Sequence, residues 1–354
     1  MRDDVIAPPG ERVEMPRASE RPLTEAYDVA LLDLDGVVYL GGAAVAGAPE
    51  ALAEAGRRGM RRAFVTNNAS RTPSAIAAQL NRMGVPARSA EVVTSAQAAA
   101  RLLAERLPAG APVLVVGGMG LRMAVRERGL RPVSTALERP AAVVQGYGPD
   151  IGYPLLAEGG LAVRAGAWFV ASNADITLPT ARGLQPGNGS LVQVIATATG
   201  QHPVVAGKPE PPLHAEAVER TGAKRPLVVG DRLDTDIEGA VRVGADSLLV
   251  LTGVSQPADA VLAPAHRRPS YLAHDLSGLL EPQPPVTANG TGEFRCGGWT
   301  ARLTDGKGQA DRLGIDGSGS AIDGLRALCA AAWSAGTVSA DSARSAVGRL
   351  HFTG

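Results

Sequence analysis

Two aspartates stand two residues apart in Leu31-Leu32-Asp33-Leu34-Asp35-Gly36, directly after the apolar run Val29-Ala30-Leu31-Leu32. Carboxylates placed so, at the carboxyl end of a buried strand, lie where open α/β sheets bind ligands. Like charges that close are costly unless a cation or a proton relieves them. A magnesium ion would neutralise one while the other handles protons, and Gly36 allows a sharp turn behind them. The tetrapeptide alone fits an ordinary acidic turn equally well.

The same format recurs in Val228-Val229-Gly230-Asp231-Arg232-Leu233-Asp234-Thr235-Asp236. Asp231 stands at the strand tip and completes a metal site with Asp33, and Asp236 supports the ion directly or from its outer shell. Asp234 and Asp236 can instead cap the next helix, and Asp234 reads as mostly structural. Oxygen donors of this kind suit magnesium, and no Cys or His set for zinc accompanies them. In Phe64-Val65-Thr66-Asn67-Asn68-Ala69-Ser70 a strand runs into small hydroxyl and amide side chains suited to phosphate oxygens, though such residues also fill turns. In Gly207-Lys208-Pro209 an ammonium can balance a phosphate and the aspartates, or simply mark a surface turn. Four strand-end clusters in one chain are harder to dismiss together than singly.

Stepping along the chain, apolar runs of strand length alternate with helix-length segments. Strands are expected at 29–32, 62–65, 113–116, 143–144, 168–171, 227–229 and 247–251. Helices are expected at 49–58, 73–83, 97–107, 121–128, 155–165, 213–221 and 235–243. This alternation predicts an α/β protein with mainly parallel sheets. Roughly 140 residues separate the Thr66-Asn67-Asn68 turn from Lys208, far more than one crossover needs, and 91–205 has its own alternation, so it reads as an inserted domain. The expected division is a flexible arm over 1–26, a discontinuous catalytic core over 27–90 and 206–280, the insert over 91–205, and 286–354 as a small C-terminal domain or partly ordered tail. Phe294, Trp299, Leu313, Leu325 and Trp333 are the expected core of that last part, with a helix over 321–333.

In this order the four segments resemble the motifs of the haloacid dehalogenase-like superfamily: Asp-x-Asp-Gly-Val, a Thr-Asn-Asn turn, Gly-Lys-Pro and Gly-Asp-x-x-x-x-Asp. The resemblance covers about residues 27 to 280. It implies a Rossmann-like core with a large C2-type α/β cap and a small C-terminal α+β extension. It makes Asp33 the nucleophile, Asp35 the general acid and base, and Lys208 the residue that orients the nucleophile and neutralises charge. Thr66 and Asn67, with Asn68 beside them, would hold the phosphoryl group. Asp231 would bind magnesium with Asp33 and the Asp35 carbonyl, and Asp236 would support it. The insert resembles the cap of the nitrophenylphosphatase-like branch, through Ser172-Asn173-Ala174-Asp175, Leu178-Pro179-Thr180 and Pro186-Gly187-Asn188-Gly189-Ser190. Asn188 is a candidate substrate contact there, with Ser190 and Arg182 as further options. Within the branch, whole-chain likeness is greatest to actinobacterial glycerol 3-phosphate phosphatases. The implied reaction is magnesium-dependent hydrolysis of a phosphomonoester through an aspartyl phosphate, with glycerol 3-phosphate favoured. Nucleoside monophosphates, pyridoxal phosphate and phosphoglycolate are alternatives, as is a non-catalytic metabolite-binding or regulatory protein.

Composition sets limits. Of 354 residues 45% are apolar but only 3% aromatic, so cores of Ala, Val and Leu are expected. Basic and acidic residues number 35 each, which gives no global field for nucleic acid or anionic membrane, while a small phosphorylated metabolite needs only local donors. No segment approaches the roughly 20 apolar residues of a membrane span, and no signal-peptide core precedes Arg21. A cytoplasmic protein is expected, with Cys296 and Cys329 unpaired. The five histidines read as structural or surface residues. A homodimer is implied by the family resemblance alone. The C-terminal part shows no coenzyme-binding glycine motif; packing on the core, an oligomer contact and a fragment of an acyltransferase fold are its open roles.

Overall fold

The computed structural model describes residues 14–180, 182–290, 292–304, 312–334 and 337–352. The chain divides into two compact units, Met1–Arg62 with Ala223–Gly354, and Ala63–Gly222.

In the first unit, four parallel strands lie in the order Tyr271–Ala273, Asp246–Val250, Pro226–Gly230, Val29–Leu32. Val29–Leu32 is buried at every position, as expected of a parallel strand covered on both faces. Register sets Leu31 beside Val228 and Leu32 beside Val229, so the residues that follow, Asp33 and Gly230-Asp231, emerge at one edge. Where a helix is expected over 235–243, the chain makes a π-helical turn, Leu233–Ile237, before the helix Glu238–Arg242. The amides of Asp236 and Ile237 both donate to the Arg232 carbonyl, which widens the turn and lets the Asp236 side chain fold in against Gly230; a Cβ on Gly230 would stand 2.1 Å from that of Asp236. Wide turns of this kind are frequent at functional sites.

Of the arm expected over 1–26, residues 1–13 lie outside the described residues. The remainder is tied down: the Arg17 amide donates to the Ser270 carbonyl at 2.8 Å, Ser19 pairs with Gln283, and Leu23 in the helical turn Leu23–Ala26 is fully buried.

The C-terminal residues form an antiparallel sheet, Thr287–Ala288, Glu293–Cys296, Trp299–Thr304 and Arg312–Gly317, followed by the helices Ala321–Ser334 and Ala340–Val347. Phe294, Trp299, Leu313, Leu325 and Trp333 do pack together, and their cluster runs on through Ile237, Leu249, Ala260, Val261 and Leu272 of the parallel layer. Arg326, 4% exposed, donates to the Leu272 carbonyl and to Gln283, and the Trp333 indole donates to the Ala260 carbonyl at 3.1 Å. Cys296 and Cys329 are buried and free; burial pushes the Cys296 thiol up to about 12 and raises that of Cys329 as well.

In the second unit, a five-stranded parallel sheet has the order Val204–Val205, Trp168–Ala171, Ala142–Gln145, Pro112–Val116, Arg131–Val133. The helices Tyr153–Arg164 and Asn188–Thr199 cover one face around Leu114, Val143, Phe169 and Ile195. An antiparallel hairpin, Thr177–Thr180 with Gly183–Pro186, precedes the second of these helices. Phe64–Thr66 pairs in parallel with Val92–Thr94. Both units are α/β with parallel sheets, and the C-terminal part is α+β. Among the described residues no helix is long and apolar enough to cross a membrane.

Candidate active site

The first unit gathers acidic groups. Asp33, Asp231 and Asp236 each offer a carboxylate oxygen within 4.8 Å of the others, and Asp231 and Asp236 are 0% and 1% exposed. Buried charges of one sign persist only when paired or bound to metal, and three carboxylates are a hard oxygen donor set that suits magnesium. The surroundings fix these carboxylates in place. The Asp33 amide donates to the Val229 carbonyl at 2.8 Å, which pins it to the strand edge. The Val254 amide donates to Asp231 Oδ2 at 2.7 Å, and the Arg232 amide to Asp236 Oδ2 at 3.1 Å. A Cβ on Gly253 would lie 2.0 Å from Asp231 Oδ2, and one on Gly36 2.5 Å from it. Gly36 is needed twice over, because its φ of +82° disfavours any side chain.

Asp35, the remaining aspartate of the first motif, is exposed and takes a 3.3 Å hydrogen bond from the Tyr39 hydroxyl. The turn Leu34–Tyr39 that presents it is closed by Val38 N to Leu34 O at 2.9 Å and Gly36 N to Tyr39 O at 2.8 Å. Asp234 points away from the cluster into an ion pair with Arg232 at 2.9 Å, in keeping with a structural role.

The second unit gathers donors. Asn67 is the hub: its Oδ1 accepts from the Lys208 amide at 2.8 Å, and its Nδ2 donates to the Lys208 carbonyl at 3.1 Å. Two residues 141 apart in sequence are thereby fixed side by side. Lys208 is 4% exposed, with Nζ donating to the Val65 carbonyl at 3.2 Å. Thr66 is buried at the strand end, and its Oγ1 accepts from the Asn68 amide at 3.1 Å. Asn68 is exposed and closes the turn, with Oδ1 accepting from the amides of Ser70 and Arg71, each at 3.1 Å. The Asn67 carbonyl is held by Ser95 Oγ at 2.6 Å and by Asn173 Nδ2 at 2.7 Å.

The insert candidates divide. Asn188 is 2% exposed and donates to the Asn173 carbonyl at 2.7 Å. Ser190 Oγ donates to the Ile176 carbonyl at 2.7 Å across the base of the hairpin, and Arg182 is exposed. His214 lies fully buried near Lys208; burial first, and the ammonium second, push its pKa down to about 3, so it is a neutral core residue.

Three contributors receive no site role from the sequence. Asp175 accepts from Asn67 Nδ2 at 3.2 Å and helps aim it. Thr252, Gly253 and Val254 follow the strand Asp246–Val250 and wrap the Asp231 carboxylate, with Thr252 also donating to the Gly36 carbonyl. Glu216, 4% exposed on the helix Pro211–Thr221, binds Arg128 at 2.8 Å, Arg220 at 2.6 Å and Arg101 at 3.5 Å, and so braces the helix that follows Lys208. The Gly253 and Asp175 positions had a findable signal, a strand end like the others; a lone Glu in a helix has none.

Known proteins bear on both units. Residues 30–131 match the family described as haloacid dehalogenase-like hydrolase, residues 205–279 a further hydrolase family of the same kind, and residues 296–351 a GCN5-related N-acetyltransferase like domain. The chain is 46% identical over 329 residues to a D-glycerol 3-phosphate phosphatase of Mycobacterium tuberculosis, covering 89% of this chain and 88% of that protein. It is 39% identical over 256 residues to an acid sugar phosphatase of Staphylococcus aureus, covering 72% and 97%. A crystal structure of a glycerol phosphate phosphatase from Mycobacterium tuberculosis in complex with magnesium superposes with a TM-score of 0.84 at 43% identity, covering 94% of this chain and 99% of that one.

Proposed function

The chain belongs to the haloacid dehalogenase-like hydrolases, and from that premise we propose that it is a magnesium-dependent phosphatase whose substrate is glycerol 3-phosphate. The observation that carries the reaction class is the meeting of Asp33, Asp231 and Asp236 at one sheet edge. The substrate rests on likeness to a D-glycerol 3-phosphate phosphatase through 89% of the chain, C-terminal part included.

In this reading Asp33 attacks phosphorus in line, and an aspartyl phosphate forms as the alcohol leaves. A carboxylate needs no separate base for this, being ionised near neutral pH. Asp35 protonates the leaving oxygen and then takes a proton from the water that opens the acyl phosphate; its exposure and its tether to Tyr39 suit a group that meets both alcohol and water. Thr66, Asn67 and Lys208 hold the phosphoryl oxygens, with Asn68 shaping the turn and Asn188 belonging to the alcohol side. Asp33 and Asp231 with the Asp35 carbonyl, supported by Asp236, would hold magnesium, which would neutralise charge at the phosphoryl group. The division into core (27–90, 206–280), cap (91–205) and C-terminal part (286–354), a cytoplasmic location and a homodimer complete the proposal. Support comes from the buried, unpaired cysteines and from the exposed apolar Leu137 and Tyr153.

A phosphate-release screen with and without magnesium tests it, over glycerol 3-phosphate, sugar phosphates, nucleoside monophosphates, pyridoxal phosphate and phosphoglycolate. Magnesium-dependent release, greatest with glycerol 3-phosphate and lost in Asp33→Asn, is expected. Fast turnover of another monoester beside negligible glycerol 3-phosphate turnover sinks the substrate, and full activity of Asp33→Asn sinks the mechanism.

A further inference from the structure

The strand Ala142–Gln145 ends on a glutamine that is 0% exposed, and both atoms of its amide lack a hydrogen-bond partner. Register fixes the face it occupies. Gln145 pairs with Val116 on one side and Ala171 on the other, and it follows Val143 by two residues, so these side chains share one face of the five-stranded sheet. Val116, Val143 and Ala171 pack there with Val192 and Ile195 of the helix Asn188–Thr199. Asn188 precedes Val192 by four residues and Ile195 by seven, which places it on the same inward stripe. Its Oδ1 is also buried without a partner. Three unsatisfied amide atoms thus lie on an apolar face at the carboxyl edge of a parallel sheet, the edge at which such sheets bind ligands. Orphaned buried polar groups are rare and call for an explanation.

Their chemistry is specific. A primary amide both donates and accepts, and Asn188 Oδ1 accepts; a hydroxyl accepts from Gln145 Nε2 and donates to one of the two amide oxygens, which neither an apolar chain nor an aromatic ring can do. The pair is also wired to the phosphoryl motif. Asn188 Nδ2 donates to the Asn173 carbonyl, Asn173 Nδ2 to the Asn67 carbonyl, and the Lys208 amide to Asn67 Oδ1. Gly187 and Gly189 make this possible, since a Cβ on either would fall 2.2 Å or 2.3 Å from the carbonyls of Asp175 and Ala174.

We propose that Gln145 and Asn188 recognise a hydroxyl of the leaving alcohol, which makes the substrate class phosphomonoesters of small polyols. This rests on the phosphatase reading above and names what selects the alcohol. Both groups are shut from solvent, so admitting a hydroxyl requires a local opening of this unit.

The test compares kcat/KM for glycerol 3-phosphate and for n-propyl phosphate, which has the same carbon chain and neither hydroxyl. It is run on the wild type, Gln145→Val and the shape-preserving Gln145→Met, with melting temperatures recorded beside it. The ratio of the two rates is expected to fall at least about tenfold in both variants, because only the hydroxyl-bearing substrate loses a partner. A ratio that stays put in both overturns the proposal, whether both rates hold, as when the amides carry an ordered water only, or fall together, as when Gln145 serves packing. A wild type that hydrolyses other monoesters but not glycerol 3-phosphate overturns the substrate proposed above instead.

Discussion

The carboxylates of Asp33, Asp231 and Asp236 are kept within 4.8 Å of one another by backbone amides and by glycines that give way to them. Gly253 is the sharpest constraint, because the atom it lacks would stand inside the Asp231 carboxylate. Gly253→Ala is therefore expected to raise the magnesium concentration for half-maximal rate about tenfold or more, in the range of other changes just outside a metal's ligands; a magnesium titration of phosphate release reads it. Asp33→Asn is expected to lower kcat at least about a thousandfold while phosphate binding persists, since a nucleophile has no substitute. His214 gives a pH signature. Its pKa of about 3 in the folded chain lies below its ordinary 6.5, so the unfolded chain takes up a proton across that window and the folded chain does not. Its neutral burial thus favours the folded state above about pH 6.5, and that stability is lost as pH falls toward 3, by at most about 1.4 kcal/mol per pH unit. Urea unfolding at pH 7 and pH 5 is expected to show a smaller loss for His214→Leu than for the wild type.

Glu216 joins its own helix, Pro211–Thr221, to the helix Ser95–Arg106 through Arg101 and to Arg128 beyond the helix Met119–Glu127. Removing it takes an acceptor from three partly exposed guanidinium groups, of which Arg101 keeps Glu105 and Glu219 and Arg220 keeps the Val92 carbonyl. Glu216→Ala is expected to cost about 2–3 kcal/mol of unfolding free energy, below the full penalty for breaking a wholly buried pair, as measured by denaturant titration. At this scale the sequence was readable where an element is locally self-sufficient. The runs Val29–Leu32 and Pro226–Gly230 are apolar throughout and end in aspartate, so strand and site announce themselves together. The hairpin Thr177–Thr180 with Gly183–Pro186 carries Pro179 and little apolar alternation, and the strand Arg312–Gly317 carries Gly314, Gly317 and Asp316; partners elsewhere in the chain, not their own composition, make them strands. Gln145 reads as the polar end of an apolar strand, and its burial with an unmet amide is visible only once the neighbouring strands and helix are in place. Asp236 was legible as a member of the acidic cluster and its π-helical turn was not, since that depends on what Gly230 lets in.

The C-terminal residues share one apolar cluster with Ile237, Leu249 and Leu272, and the buried Arg326 bonds the Leu272 carbonyl and Gln283. They are therefore structural members of the unit that carries Asp33 and Asp231. A chain ending at residue 285 is expected to be insoluble or to melt far below the full chain, and a truncated protein that melts like the full one would show the cluster to be dispensable. Arg326→Ala, which leaves buried acceptors unmet, is expected to lower stability by about 1–3 kcal/mol, read by thermal or urea unfolding. The order in which the chain is made then matters. Ala63–Gly222 is continuous and is free to fold as it leaves the ribosome, whereas Val29–Leu32 must wait for Pro226–Gly230, some 200 residues later, and the helix Ala321–Ser334 follows later still. At about 5–20 residues per second that first delay is about 10–40 s, during which an apolar strand is exposed with no partner, and Asp33 acquires its final setting only as synthesis ends.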